Sequence, residues 1–194
     1  MLYEKGATYH IYNRSNELLF YTRENYIYFL NNVRKHILPY GDILAYCLMP
    51  NHFHILLTVN EKGVEFSRLN FRESMQLLPK SIGTMLSSYT QAINRQEGRM
   101  GSLFAHTTKA KMLNNAENDY ALNCFMYIHQ NPKMADLVEK IEDWEFSSYP
   151  DYIGKRDGTI INKLLALEIL NLDINDIEFI TNKLLIEKLD EDFL

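Results

Sequence analysis

The chain has 194 residues, 46% of them hydrophobic and 23% charged, with a formal net charge of −5. This size and balance fit one core-forming domain of ordinary size and exclude a compositionally disordered chain. No stretch approaches the roughly 18 consecutive apolar residues that a membrane span requires. The opening Met1-Leu2-Tyr3-Glu4-Lys5-Gly6 lacks the apolar centre of a secretion signal.

The charge is unevenly spread. Residues 1–135 carry 14 basic and 10 acidic side chains, and residues 136–194 carry 6 and 15. A basic body with an acidic end permits phosphate binding, because counterion release depends on local cations rather than on the total. Cys47 and Cys124 stand alone in a strand-like and a helix-like stretch. Both read as buried free thiols, and a cytoplasmic location is expected.

In chain order, Thr8 to Arg14 is rich in β-formers and alternates, so it reads as a first strand, followed by a turn at Asn13-Arg14-Ser15-Asn16. Arg14, at the strand end, is a candidate phosphate contact. From Thr22 to about Leu38, Tyr26, Phe29, Leu30 and Val33 recur at helical spacing, with Thr22 as N-cap and Pro39 as terminator. Ile43 to Leu48 and Phe53 to Val59 flank Pro50-Asn51, a pair suited to a tight turn, and together read as a β-hairpin.

Alternation along the second hairpin strand puts His52, His54, Leu56 and Thr58 on one face, with Phe53, Ile55, Leu57 and Val59 on the other. Two imidazoles on one side of a strand end can chelate a divalent cation. The pair also fits two histidines bonded to backbone or water, and a structural zinc site would need further Cys or His ligands.

Beyond the hairpin, Glu61-Lys62-Gly63 reads as a loop, and Pro79 separates two helical stretches, Phe66 to Leu78 and Ser81 to Arg95. Arg95 to Gly101 reads as a glycine-punctuated loop, and Ser102 opens a strand-like segment reaching about Met112. Arg72, Lys80, Arg95, Arg99, Lys109 and Lys111 would give this region a basic rim. A helix follows from the N-cap Asn115 to about Asn131, where Pro132 is expected to stop it. Tyr127 and Asn131 are four apart on it and project toward the same neighbour. Residues 139–152, with the single Trp144, read as an irregular segment folding back onto the body. Two short amphipathic helices then span roughly 164–170 and 174–185, the second capped by Asp173 or Asn175. The acidic tail of Glu187, Asp190, Glu191 and Asp192 reads as solvated.

If the helix bearing Tyr127 packs on the His52/His54 face, two imidazoles, the Asn131 carboxamide and a phenol meet. Such a set suits phosphoryl transfer, with a metal as Lewis acid and the phenol attacking in line.

Four motifs then stand in order: Met49-Pro50-Asn51-His52-Phe53-His54, Gly101-Ser102-Leu103-Phe104, Tyr127-Ile128-His129-Gln130-Asn131-Pro132 and Trp144-Glu145-Phe146-Ser147-Ser148-Tyr149. In these the chain resembles the single-tyrosine transposases of small insertion sequences, in the REP-associated branch of the HUH endonuclease superfamily, over roughly Tyr9 to Tyr152. The resemblance implies an α+β fold, a ferredoxin-like antiparallel β-sheet flanked by α-helices. It further implies Mg²⁺- or Mn²⁺-dependent cleavage of single-stranded or hairpin DNA through a 5′-phosphotyrosine, leaving a free 3′-OH.

Carried over by position, His52, His54 and Asn131 become metal ligands and Tyr127 the nucleophile, and Arg14 falls in the family's Asn-Arg segment after the first strand. On local charge, DNA contacts are expected from Arg14, Arg95, Arg99, Lys109, Lys111 and Lys133. Residues 1–152 would form the transposase-type domain, and 153–194 a helical C-terminal extension packed on it. Ala105-His106-Thr107-Thr108 stands where the family usually continues with glutamine or arginine-rich sequence, and Lys133-Met134 where Val-Arg is common. A non-catalytic binder of hairpin or repeat DNA, derived from such a transposase, is the alternative. Both a homodimer and a monomer are compatible with the resemblance.

Overall fold

A computed structural model describes residues 2–67, 74–113 and 120–183. The expectations placed on Arg72, Asn115, Leu184, Leu185 and the acidic tail lie outside the described residues. The elements are β1 (Thr8–Arg14), α1 (Arg23–His36), β2 (Gly41–Met49), β3 (His52–Val59), α2 (Glu61–Val64), α3 (Leu77–Glu97), β4 (Lys109–Met112), α4 (Tyr120–Met134), α5 (Tyr149–Tyr152), α6 (Lys163–Leu170) and α7 (Ile177–Lys183). The four strands form one sheet in the order β2-β3-β1-β4, and each neighbouring pair is antiparallel. This is the α+β, ferredoxin-like arrangement, with β1 and β3 at the centre. No described helix is long and apolar enough to cross a membrane.

Helices cover both faces of the sheet. On one face, Tyr9, Ile11, Phe53, Ile55 and Leu57 pack under Phe29 and Val33 of α1 and Met85 and Tyr89 of α3. On the other, Cys47, Met49 and Leu56 pack with Phe125 and Ile128 of α4, Ala166 and Leu170 of α6 and Ile177 of α7. Double coverage is why β3 reads as a near-continuous apolar run rather than a polar/apolar alternation. The register of β2 on β3 shifts between Ile43 and Ala45. That irregularity leaves Ile43 in the first cluster, with Leu44 and Ala45 in the second.

The outer edge of β2 is capped by the chain itself. Leu48 N–H donates to Phe146 O (2.9 Å), Ser148 N–H to Tyr46 O (2.9 Å) and Asn162 N–H to Ile43 O (2.8 Å), and the Trp144 indole N–H donates to Leu48 O (3.0 Å). A bare strand edge is a template for unwanted pairing, and here it is closed.

Four sequence expectations are corrected. Glu61-Lys62-Gly63 belongs to a helical turn, α2, because the Asn60 side chain caps it by accepting from Gly63 N–H (3.0 Å). Pro79 does not separate two helices. It lies in the first turn of the single helix α3, where the missing N–H has no carbonyl to serve. Nor does Pro132 stop its helix: α4 continues to Met134, and the turn closes beyond it through Ala135 N–H to Asn131 O and Leu137 N–H to Pro132 O, both 3.0 Å. The strand expected from Ser102 is confined to Lys109–Met112.

A charged knot fastens the segment after α5. Asp151, whose side chain is 5% exposed, accepts from Arg156 Nε (2.7 Å) and Nη2 (2.8 Å) and from Gly158 N–H (3.0 Å). The same guanidinium donates to the Glu145 and Ser147 carbonyls and to the Tyr46 hydroxyl. Gly158 sits against the carboxylate so closely that a Cβ there would lie 2.7 Å from Asp151 Oδ1. Asp151→Ala leaves the half-buried guanidinium without its counterion. A loss of about 3 kcal/mol is expected, or a fall in Tm of roughly 6–12 °C by calorimetry.

Candidate active site

Strand register assembles the site. β1 pairs with β3 so that Arg14 lies opposite His52, Tyr12 opposite His54 and His10 opposite Leu56. On its other side β1 pairs with β4, which sets Lys109 beside Tyr12 and Lys111 beside His10. Alternation puts all of these on the face that α4 covers. Helix α4 then lays Tyr127 and Asn131, one turn apart, over the two imidazoles.

Donor and acceptor chemistry dictates the protonation of each ring. His52 Nδ1 lies 2.7 Å from Asn51 Oδ1. An amide oxygen only accepts, so Nδ1 carries the proton and His52 Nε2 bears a lone pair. That Nε2 faces Asn131 Oδ1 at 3.4 Å, one acceptor against another. The same carboxamide directs Nδ2 at His54 Nε2, also at 3.4 Å, so His54 Nε2 is an acceptor too. Its Nδ1 is 2.9 Å from His10 Nε2. Both Nε2 lone pairs therefore face the Asn131 carboxamide, that of His52 its oxygen and that of His54 its nitrogen. Among the described residues no group of three or more His, Cys, Asp or Glu side chains could hold a metal ion. A cation here would thus need Asn131 as its third donor. The close approach of His52 Nε2 to Asn131 Oδ1 is a contact that a cation between them would relieve, and the residues fit such an ion.

Burial keeps the imidazoles neutral. It lowers His52 to about 4, with help from the Arg14 charge. His54 is pushed well below its ordinary value by burial, then by His10, His52 and Arg14. Burial and the Lys111 charge bring His10 to about 3. Neutral rings are the form that ligates a metal.

The Tyr127 ring meets His54 edge to face, centroids 5.5 Å apart. It is 6% exposed and shares the apolar cluster of α4. Burial raises its pKa, opposed by a hydrogen bond with Asn131 and by the Arg14 charge. The phenol is therefore protonated at neutral pH in this arrangement.

A cleft of about 190 Å³ opens beside the imidazoles, lined by Tyr12, Arg14, His52, His54, His106 and Lys109 among others. Tyr127 is not among the residues that line it. The expected DNA contacts divide by position. Arg14 is exposed and Lys109 stands over the Tyr12 ring at 5.7 Å; both line the cleft. Lys111 is two residues along β4, and Lys133 is exposed in the last turn of α4. Arg95 is on α3, in the layer covering the opposite face of the sheet. Arg99 is engaged by Glu17 (3.2 Å). Sequence reasoning missed His10, Tyr12, Asn51 and His106. For His10 and Tyr12 the signal was present, since they share a strand face with Arg14.

No protein-family model matches the chain, and no curated protein matches it. Among solved structures it is similar to a REP-associated tyrosine transposase bound to a REP hairpin. The two share 19% sequence identity with a TM-score of 0.58, over 82% of this chain and 87% of that one. At this identity the likeness shows a shared fold.

The buried imidazoles, His129 at about 3 among them, bind protons more readily unfolded, near 6.5, than folded. Stability is then full above about pH 6.5 and is lost as pH falls toward about 4. In the metal-free chain, Tm measured between about pH 7.5 and 4.5 should drop with pH, the slope set by roughly 1.4 kcal/mol per pH unit for each proton taken up. A flat profile would contradict neutral burial.

Proposed function

We propose that this chain is a metal-dependent single-stranded DNA nicking and joining enzyme of the transposase type, acting through a 5′-phosphotyrosine on Tyr127. One observation carries the reading: His52 Nε2 and His54 Nε2 both turn their lone pairs to the Asn131 carboxamide beside the Tyr127 ring. These three would hold Mg²⁺ or Mn²⁺, which when bound supplies Lewis-acid polarisation of a phosphate oxygen.

The chain's own residues do the rest. Arg14 and Lys109 grip backbone phosphates in the cleft. The Tyr127 ring turns out of its apolar packing toward the cleft, which restores solvent to the phenol and eases loss of its proton to water. The phenolate oxygen forms a bond to phosphorus in line as the bond to the 3′ oxygen breaks, and that oxygen takes up a proton from water to leave as a 3′-OH. The joining step is the reverse, with a 3′-OH attacking the phosphotyrosine. The hairpin held by the structural neighbour supports hairpin or single-stranded DNA as substrate.

Incubating the protein with hairpin-bearing single-stranded DNA and Mn²⁺ should yield a covalent adduct on a denaturing gel. Tyr127→Phe should abolish it, and His52→Ala should reduce it by more than about 100-fold. No adduct on any hairpin or single-stranded substrate, with binding retained, would leave the non-catalytic binder as the reading. Binding is tested separately: Arg14→Ala should weaken affinity across sequences alike and lower the slope of log K against log salt by about 1. An unchanged slope removes Arg14 from the phosphate contacts.

A further inference from the structure

We propose that His10 is a positioning residue, accepting the Nδ1–H of His54 and so locking His54 in the tautomer whose Nε2 lone pair faces Asn131 and the cation site. The inference rests on the metal-site reading above but reaches a residue that no motif contains. One proton lies between His10 Nε2 and His54 Nδ1, 2.9 Å apart. If His10 donated it, His54 would carry its other proton on Nε2, pointing N–H into the site, and could not ligate. The Asn131 Nδ2 group aimed at His54 Nε2 selects the opposite arrangement, with His54 Nδ1 as donor.

Packing holds the pair in register. The His10 ring stacks on His54 (5.1 Å, 23°) and on Tyr12 (4.8 Å, 25°), and it is fully buried. The Nδ1 of His10, like that of His129, is buried without a hydrogen-bond partner among the described residues. In the tautomer argued here that atom carries an N–H, and leaving it unpaired is unfavourable. An apolar side chain would avoid that penalty, so the imidazole is explained by what its Nε2 does. Ligating histidines commonly have their second nitrogen fixed by such an outer partner, whose removal typically lowers metal affinity 10- to 100-fold.

The test reads the tautomer directly. In the metal-free, ¹⁵N-labelled full chain at neutral pH, long-range ¹H–¹⁵N spectra should show His54 protonated on Nδ1. Mn²⁺ titrations followed by electron paramagnetic resonance should then show affinity falling about 10- to 100-fold in His10→Phe. His10→Gln, whose amide oxygen can also accept, should stay within about 3-fold of the wild type. An Nε2–H tautomer in the wild type overturns the proposal, as does a His10→Phe protein binding Mn²⁺ as tightly as the wild type. If His10→Phe fails to fold, the wild-type tautomer and the His10→Gln affinity decide. Wild type binding Mn²⁺ no better than His52→Ala would sink the metal site itself, while the metal-free spectra would still decide what His10 does to His54.

Discussion

The antiparallel register of β1 on β3 is the constraint from which the site follows. Sliding one strand by a single residue would turn His10, Tyr12 and Arg14 to the opposite face and separate them from His52 and His54. Two features pin it. Thr8 and Thr58 meet through their hydroxyls at 3.0 Å at one end. At the other, the turn between β2 and β3 is tied to the chain leaving β1: Ser15 N–H donates to Asn51 O (2.8 Å) and Leu19 N–H to Pro50 O (2.7 Å). Asn51 therefore acts twice, its carbonyl fixing the register and its side chain fixing the proton of His52.

The electrostatics follow from layering. Both faces of the sheet are covered, so the imidazoles lie where a charge is poorly solvated, and they stay neutral. Cations are kept to the rim: Arg14 at the end of β1 and Lys109 on β4 face the cleft. Arg14 lowers His52, His54 and Tyr127 alike. A cation at the strand end thus favours neutral ligands and an ionisable phenol at once. The same guanidinium is positioned to meet an incoming phosphate. Local placement of this kind outweighs the acidic total of the chain.

Much of this was legible in the sequence, and the failures have definite causes. Alternation placed His52 and His54 on one face, and i,i+4 spacing placed Tyr127 with Asn131, because both are local periodicities of the backbone. Alternation also places His10 on the strand face of Arg14, but its role depends on which residue of β3 it faces, and register is a long-range property. The helix boundaries failed at Pro79 and Pro132, where proline was taken as a break. In α3 it occupies a first-turn position that needs no donor; in α4 the following turn closes around it. The basic residues could be counted but not sorted, since assigning Arg95 and Arg99 away from the cleft requires knowing which layer α3 occupies and that Glu17 lies beside Arg99. The Asp151–Arg156 knot links residues whose pairing only the fold reveals.

Rigidity around the proposed nucleophile sets the last constraint. Between Tyr127 and Asn131, helix α4 is fastened by buried side chains: His129 Nε2 to Ser148 Oγ at 2.8 Å, and Gln130 Nε2 donating to Thr181 O at 2.7 Å. The first bond ties α4 to the segment that caps β2, since Ser148 Oγ also accepts from Tyr46 N–H (2.9 Å). The second ties it to α7, so the C-terminal helices support the site although they carry none of its chemistry. With the backbone held on both sides, Asn131 stays over the imidazoles. The freedom left to the proposed nucleophile is rotation of the Tyr127 side chain, opposed by its apolar contacts. In the proposed reaction a substrate phosphate beside Arg14 would give the phenol an alternative partner, and binding and exposure of Tyr127 would be one coupled event rather than two.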